Sequence, residues 1–97
     1  MKDTSPDLGS IGAIVHRHLP SPEYRAFLFG SRARGDATGR SDWDIGILGP
    51  EEVPGYIIQR IHAELEELPT LHRFDVVDLL STSESFRRCA LEATIPL

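Results

Sequence analysis

Apolar residues recur at Leu8, Ile11, Ile14, Val15 and Leu19, the spacing of one helical face, so a first helix is expected over 7–19. Pro20 and Pro22 close it. The pattern then shifts. Tyr24 to Phe29 is short, rich in aromatic and apolar residues and stopped by Gly30, which predicts a strand. Residues 31–41 are polar, with Gly35 and Gly39, and read as a loop with room for a helical turn at its start. From Asp42 to Leu48 the chain alternates, with Asp42 and Asp44 on one face and Trp43, Ile45 and Ile47 on the other, which predicts a second strand.

Gly49 and Pro50 break that strand. Pro54 suits the first turn of a helix, Glu51 and Glu52 favour its positive end, and Ile57, Ile58, Ile61, Leu65 and Leu68 form its apolar stripe over roughly 54–68. Phe74 to Leu80 reads as a third strand. Ser81 and Glu84 have capping-box spacing ahead of a last helix over 83–94. The order helix, strand, strand, helix, strand, helix predicts an α+β or α/β layer structure.

Composition narrows the function classes. The 97 residues predict one domain with a loose tail over 1–6 and a modest core. No apolar run is long enough to span a membrane, and MKDTSPDL lacks the apolar core of a signal peptide, so a cytoplasmic location is expected. Cys89, the only cysteine, cannot form an internal disulfide and reads as a small core residue of the last helix. His16, His18, His62 and His72 lack metal-ligand spacing and read as surface or satisfied positions. The net charge of −5 argues against general nucleic-acid binding. Yet Arg32, Arg34 and Arg40 cluster beside the acidic pair, which points to a small anionic ligand.

The chemistry concentrates in GSRARGDATGRSDWDIGIL, residues 30–48. Carboxylates at i and i+2 of a strand share a face, repel each other, and make sense with a cation between them. Hard oxygen ligands with open positions suit Mg²⁺ held by carboxylates plus substrate phosphates. A bare Asp-x-Asp is weak, but here Gly30 ends a strand and Ser31 opens a turn whose N–H groups and hydroxyl can hold a phosphate. The arginines can add charge-assisted hydrogen bonds. The first two strands can pair antiparallel, and the helix after the second makes a crossover to a parallel third. Asp75, at the start of that third strand, then falls beside Asp42 and Asp44, whereas Asp78 faces the other side.

Gly30-Ser31, ten residues, Asp42-Trp43-Asp44, then Phe74-Asp75-Val76 resembles the DNA polymerase beta-like nucleotidyltransferase superfamily, and the whole stretch is similar to its minimal nucleotidyltransferases. The resemblance implies the nucleotidyltransferase fold, a short mixed sheet of about three strands with helices packed on it. It implies Mg²⁺, as one or two ions, on Asp42, Asp44 and Asp75. It also implies ATP held by Gly30, Ser31, Arg32, Arg34, Arg40 and Ser41. The implied activity is transfer of AMP to a hydroxyl, on a tyrosine, of a HEPN-type helical toxin, with this protein as antitoxin. Two other readings stay open: an antitoxin that acts by binding alone, and transfer to a small molecule such as an aminoglycoside. With no second domain to hold base or acceptor, assembly as a homo- or hetero-oligomer is expected.

Overall fold

The computed structural model describes residues 5–97, so most of the tail expected over 1–6 lies outside the described residues. The elements are α1 (Leu8–His18), β1 (Arg25–Phe29), α2 (Ser31–Arg34), β2 (Trp43–Leu48), α3 (Gly55–Glu66), β3 (Phe74–Asp78), α4 (Glu84–Ala90) and β4 (Ile95–Pro96). A 3-10 turn over Leu79–Ser81 joins β3 to α4. None of the helices described is long and apolar enough to cross a membrane.

The sheet is mixed, in the order β3-β2-β1-β4. β1 and β2 run antiparallel, and β2 reaches the parallel β3 through α3, as the sequence predicts. The fourth strand was not expected. It has two residues, pairs antiparallel with β1 at the sheet edge, and includes Pro96, which only an edge position tolerates.

Alternation along the strands gives the sheet two unlike faces. Ala26, Leu28, Trp43, Ile45, Ile47 and Phe74 pack under α1 and α3, which contribute Ile11, Ile14, Val15, Ile61 and Leu65. Glu64 of α3 ties the two helices together by pairing with Arg17 at 2.9 Å and with His18. The opposite face is a smaller cluster of Phe27, Phe29 and Leu79 against Ala90 of α4, with Leu48 and Val77 beside it.

Local chemistry sets the helix ends. The Asp7 carboxylate accepts from the Ser10 N–H at 3.1 Å and starts α1. The cap of α4 is Ser83, not Ser81: the Ser83 hydroxyl accepts from the Phe86 N–H at 3.1 Å, three residues on. Ser81 is taken up by donating to Asp78 at 3.0 Å. The helix also ends at Ala90 rather than 94, because the chain must turn back to place β4.

Candidate active site

The junction of β1 and α2 is built around one glycine. Gly30 has φ 75° and ψ −153°, a region essentially closed to other residues. A Cβ on it would run into the Asp44 carboxylate. Glycine is therefore required both by the backbone and by the neighbour. The N–H groups of Ala33 and Arg34 close onto the Gly30 carbonyl at 3.1 and 3.0 Å. Those of Ser31 and Arg32 open the helix and have no preceding helical carbonyl to meet. Gly35, at φ 84°, ends the turn in the left-handed region.

Strand register brings the aspartates together. Phe29 pairs with Asp44, and Asp44 pairs with Asp75 across the parallel ladder. Asp42 lies just before β2, exposed, and two residues from Asp44. The Asp44 carboxyl is held above its ordinary pKa, first by burial, then by the charges of Asp75 and Asp42, while Arg34 pulls the other way. Asp78 is excluded from this group. It is buried and accepts from the Val53 and Leu80 N–H groups at 2.7 and 3.2 Å, so it holds the loop before α3 and the turn after β3.

Among the described residues no group of three or more His, Cys, Asp or Glu side chains forms a ready metal cage. The donor set is instead a few hard carboxylates at the rim of an open cleft. Such a set fits Mg²⁺, which takes one or two carboxylates and completes its octahedron with water and phosphate oxygens. Burial first, and then the neighbouring charges of Asp75 and Asp42, hold the Asp44 pKa up, and a cation would offset both.

The arginines divide. Arg34 lines the cleft with Gly30, Ser31, Asp44 and Asp75, and its Nε donates to Asp36 at 3.2 Å. Arg32 turns away from it. Its guanidinium stacks over the Trp43 ring at 4.6 Å and donates to the carbonyls of Ser41 and Thr38 at 2.8 and 3.2 Å. The Ser41 hydroxyl accepts from the Thr38 N–H at 2.9 Å and closes the same turn. Arg32 and Ser41, expected at the nucleotide, thus brace the loop that delivers Asp42. Arg40 sits exposed on that loop, outside the lining of the cleft.

The cleft has a volume of about 420 Å³, and α4 forms its far wall with Phe86, Cys89 and Ala90. Sequence reasoning missed this wall. Cys89, read as core, is exposed there. The three residues sit at i, i+3 and i+4, one helical face, but spacing alone does not tell a face over a core from a face over a cleft. A second cleft of about 480 Å³ opens beside the first, lined by Asp42, His62, Glu66, Arg73, Phe74 and Asp75. Asp75 lines both. The histidines are satisfied as expected: His62 Nε2, for example, meets the Phe74 carbonyl at 3.0 Å.

The family pattern "Polymerase beta, Nucleotidyltransferase" matches residues 21–97. The chain belongs to this nucleotidyltransferase family. A Haemophilus influenzae relative named "Probable protein adenylyltransferase MntA" is 35% identical over 83 residues, spanning 86% of this chain and 71% of the relative. The crystal structure of a mutant MntA-HpeT toxin–antitoxin shares the fold with a TM-score of 0.76 at 19% identity, covering 93% of this nucleotidyltransferase and 71% of that chain. The structure of the tri-AMPylated HEPN toxin of Shewanella oneidensis in complex with MNT antitoxin has a TM-score of 0.61 at 19% identity, covering 91% of this chain and 66% of that one. At that identity the two structures speak for the fold.

Proposed function

We propose that this nucleotidyltransferase transfers AMP from ATP to a tyrosine hydroxyl of a HEPN-type toxin and so acts as its antitoxin. The carrying observation is the pairing of Asp44 with Asp75 in one cleft with Gly30 and Ser31. The adenylyltransferase name of the relative and the AMPylated toxin in the structurally similar complex support the choice of donor and acceptor.

In this reading the N–H groups of Ser31 and Arg32, the Ser31 hydroxyl and Arg34 hold the β- and γ-phosphates. Asp42 and Asp44 would hold Mg²⁺, completed by Asp75, and the ion would supply charge neutralisation at the reacting phosphate. The acceptor oxygen attacks the α-phosphorus, the bond to the bridging oxygen breaks, and pyrophosphate leaves. An in-line displacement needs nucleophile and leaving group on opposite sides of phosphorus. With the phosphate cradle in the first cleft, the acceptor enters from the second. Asp75, which lines both, takes the proton of the hydroxyl as it attacks. Acceptor contacts beyond these are completed by the partner.

The test is incubation with the HEPN-type protein, Mg²⁺ and α-labelled ATP. The expected result is label on a toxin tyrosine, with Asp75→Asn slowing transfer by roughly 10²–10⁴-fold. A toxin neutralised without label would instead support an antitoxin that acts by binding.

A further inference from the structure

The nucleotide cleft is polar at one side and apolar at the other. Gly30, Ser31 and Arg34 come from the β1–α2 side, while Phe86, Cys89 and Ala90 come from α4. Its volume of about 420 Å³ falls in the range of sites that take small molecules. A nucleoside triphosphate is itself divided in this way. Its phosphates need N–H groups and cations. Its base is a flat ring with two apolar faces.

Phe86 is the distinctive feature of the α4 wall. The residue is 44% exposed although its ring meets Phe29 of an apolar cluster. Its ring meets Phe29 edge-to-face, with centroids 6.2 Å apart and planes at 86°. Phe29 is buried and precedes Gly30, so the Phe86 ring is oriented from the same strand end that positions the phosphate turn. Other exposed large apolar residues, Tyr56, Leu71 and Leu91, do not line this cleft. An aromatic ring held this way, at the apolar side of a cleft whose other side suits phosphates, offers a stacking surface at low entropic cost.

We propose that Phe86 is the platform on which the nucleobase stacks, so that α4 holds the base while α2 holds the phosphates. This rests on the reading of the first cleft as the nucleotide site and adds the base subsite to it. Polar side chains of the cleft other than Cys89 belong to the phosphate and aspartate side, so stacking rather than edge recognition carries the base contact. Base stacking on an aromatic side chain tolerates different bases because each has a π-face.

Calorimetric titration of the full chain with Mg-ATP and with Mg-tripolyphosphate separates the two halves of the site. Phe86→Ala should weaken ATP about tenfold and leave tripolyphosphate within twofold. Phe86→Trp, which keeps the ring, should bind ATP at least as tightly as the parent, and its indole emission should be quenched by ATP but not by tripolyphosphate. Trp43, the only native tryptophan, is buried on the other face and serves as the background. Should Phe86→Ala fail to fold, the Phe86→Trp quench decides alone. ATP binding unchanged in Phe86→Ala, equal loss on both probes, or no ATP-specific quench in Phe86→Trp would overturn the platform while leaving the phosphate site standing. Failure of the parent chain to bind either probe would overturn the cleft reading, and the platform with it.

Discussion

The two faces of the sheet are built to opposite ends. On one, α1 and α3 close over a continuous apolar layer in which Ile11, Val15, Ile45, Ile47, Ile61 and Leu65 are fully buried. On the other, α4 covers only Phe27, Phe29 and their neighbours, and the sheet is left open where Asp44 and Asp75 stand side by side. Strand alternation produces both: in β2 the residues that fill the first core are interleaved with Asp44, the residue proposed to carry the chemistry. The first face supplies most of the apolar burial that holds this small domain folded. The second gives up some of that stability, because like charges gathered at a half-buried position destabilise the folded state until something neutralises them.

Substitutions on each face should therefore fail in different ways. The largest stability effect belongs to the closed face. Ile61→Ala should cost about 2–5 kcal/mol in chemical denaturation, while transfer activity per folded molecule stays near that of the parent. At the open face, Gly30→Ala combines a forbidden backbone region with a collision against Asp44, a loss of about 1–3 kcal/mol from the backbone alone. Here activity should fall by far more than the lost stability explains, because the side chain that must move, Asp44, belongs to the proposed site. Arg32 and Arg40 make a smaller contrast. Arg32→Ala removes the hydrogen bonds that hold Ser41 and Thr38, so a loss of about 1–3 kcal/mol is expected, together with slower transfer through a misplaced Asp42. Arg40→Ala, at an exposed loop position, should change stability by no more than about 0.5 kcal/mol in the same melts.

The closed face was the more legible in the sequence. Helical spacing in Leu8 to Leu19 and Ile57 to Leu68, and alternation in Asp42 to Leu48, reflect burial against an apolar layer, and burial is what periodicity records. The crossover rule also places Asp75 rather than Asp78 beside Asp44, the register the parallel ladder has. The open face was less legible because its contacts are tertiary. Nothing local distinguishes Arg32, which stacks on Trp43 and braces a loop, from Arg34, which lines the cleft. Cys89 has the size and helical setting of a core residue, and only the docking of α4 shows it exposed. A two-residue strand containing proline carries too little pattern to be read, so β4 depends on β1 offering it an edge.

In the proposed function, Asp44 is kept at a cost to stability for the sake of a bound cation and nucleotide. Its folded pKa is raised, so the unfolded chain loses its proton first as pH increases. Below the ordinary carboxylate value both states are protonated and Asp44 contributes nothing. From that value up to the raised one the folded state loses ground, and above it the deficit is constant. Thermal melts of the parent and Asp44→Asn, across pH and with or without Mg-ATP, test this directly. The two chains should melt nearly alike at the acid end, and the variant should melt higher from the ordinary carboxylate range upward. At neutral pH, Mg-ATP should raise the melting temperature of the parent well above any rise in the variant. A variant that melts lower than the parent at neutral pH without ligand, or that gains as much from Mg-ATP, would contradict this role for Asp44.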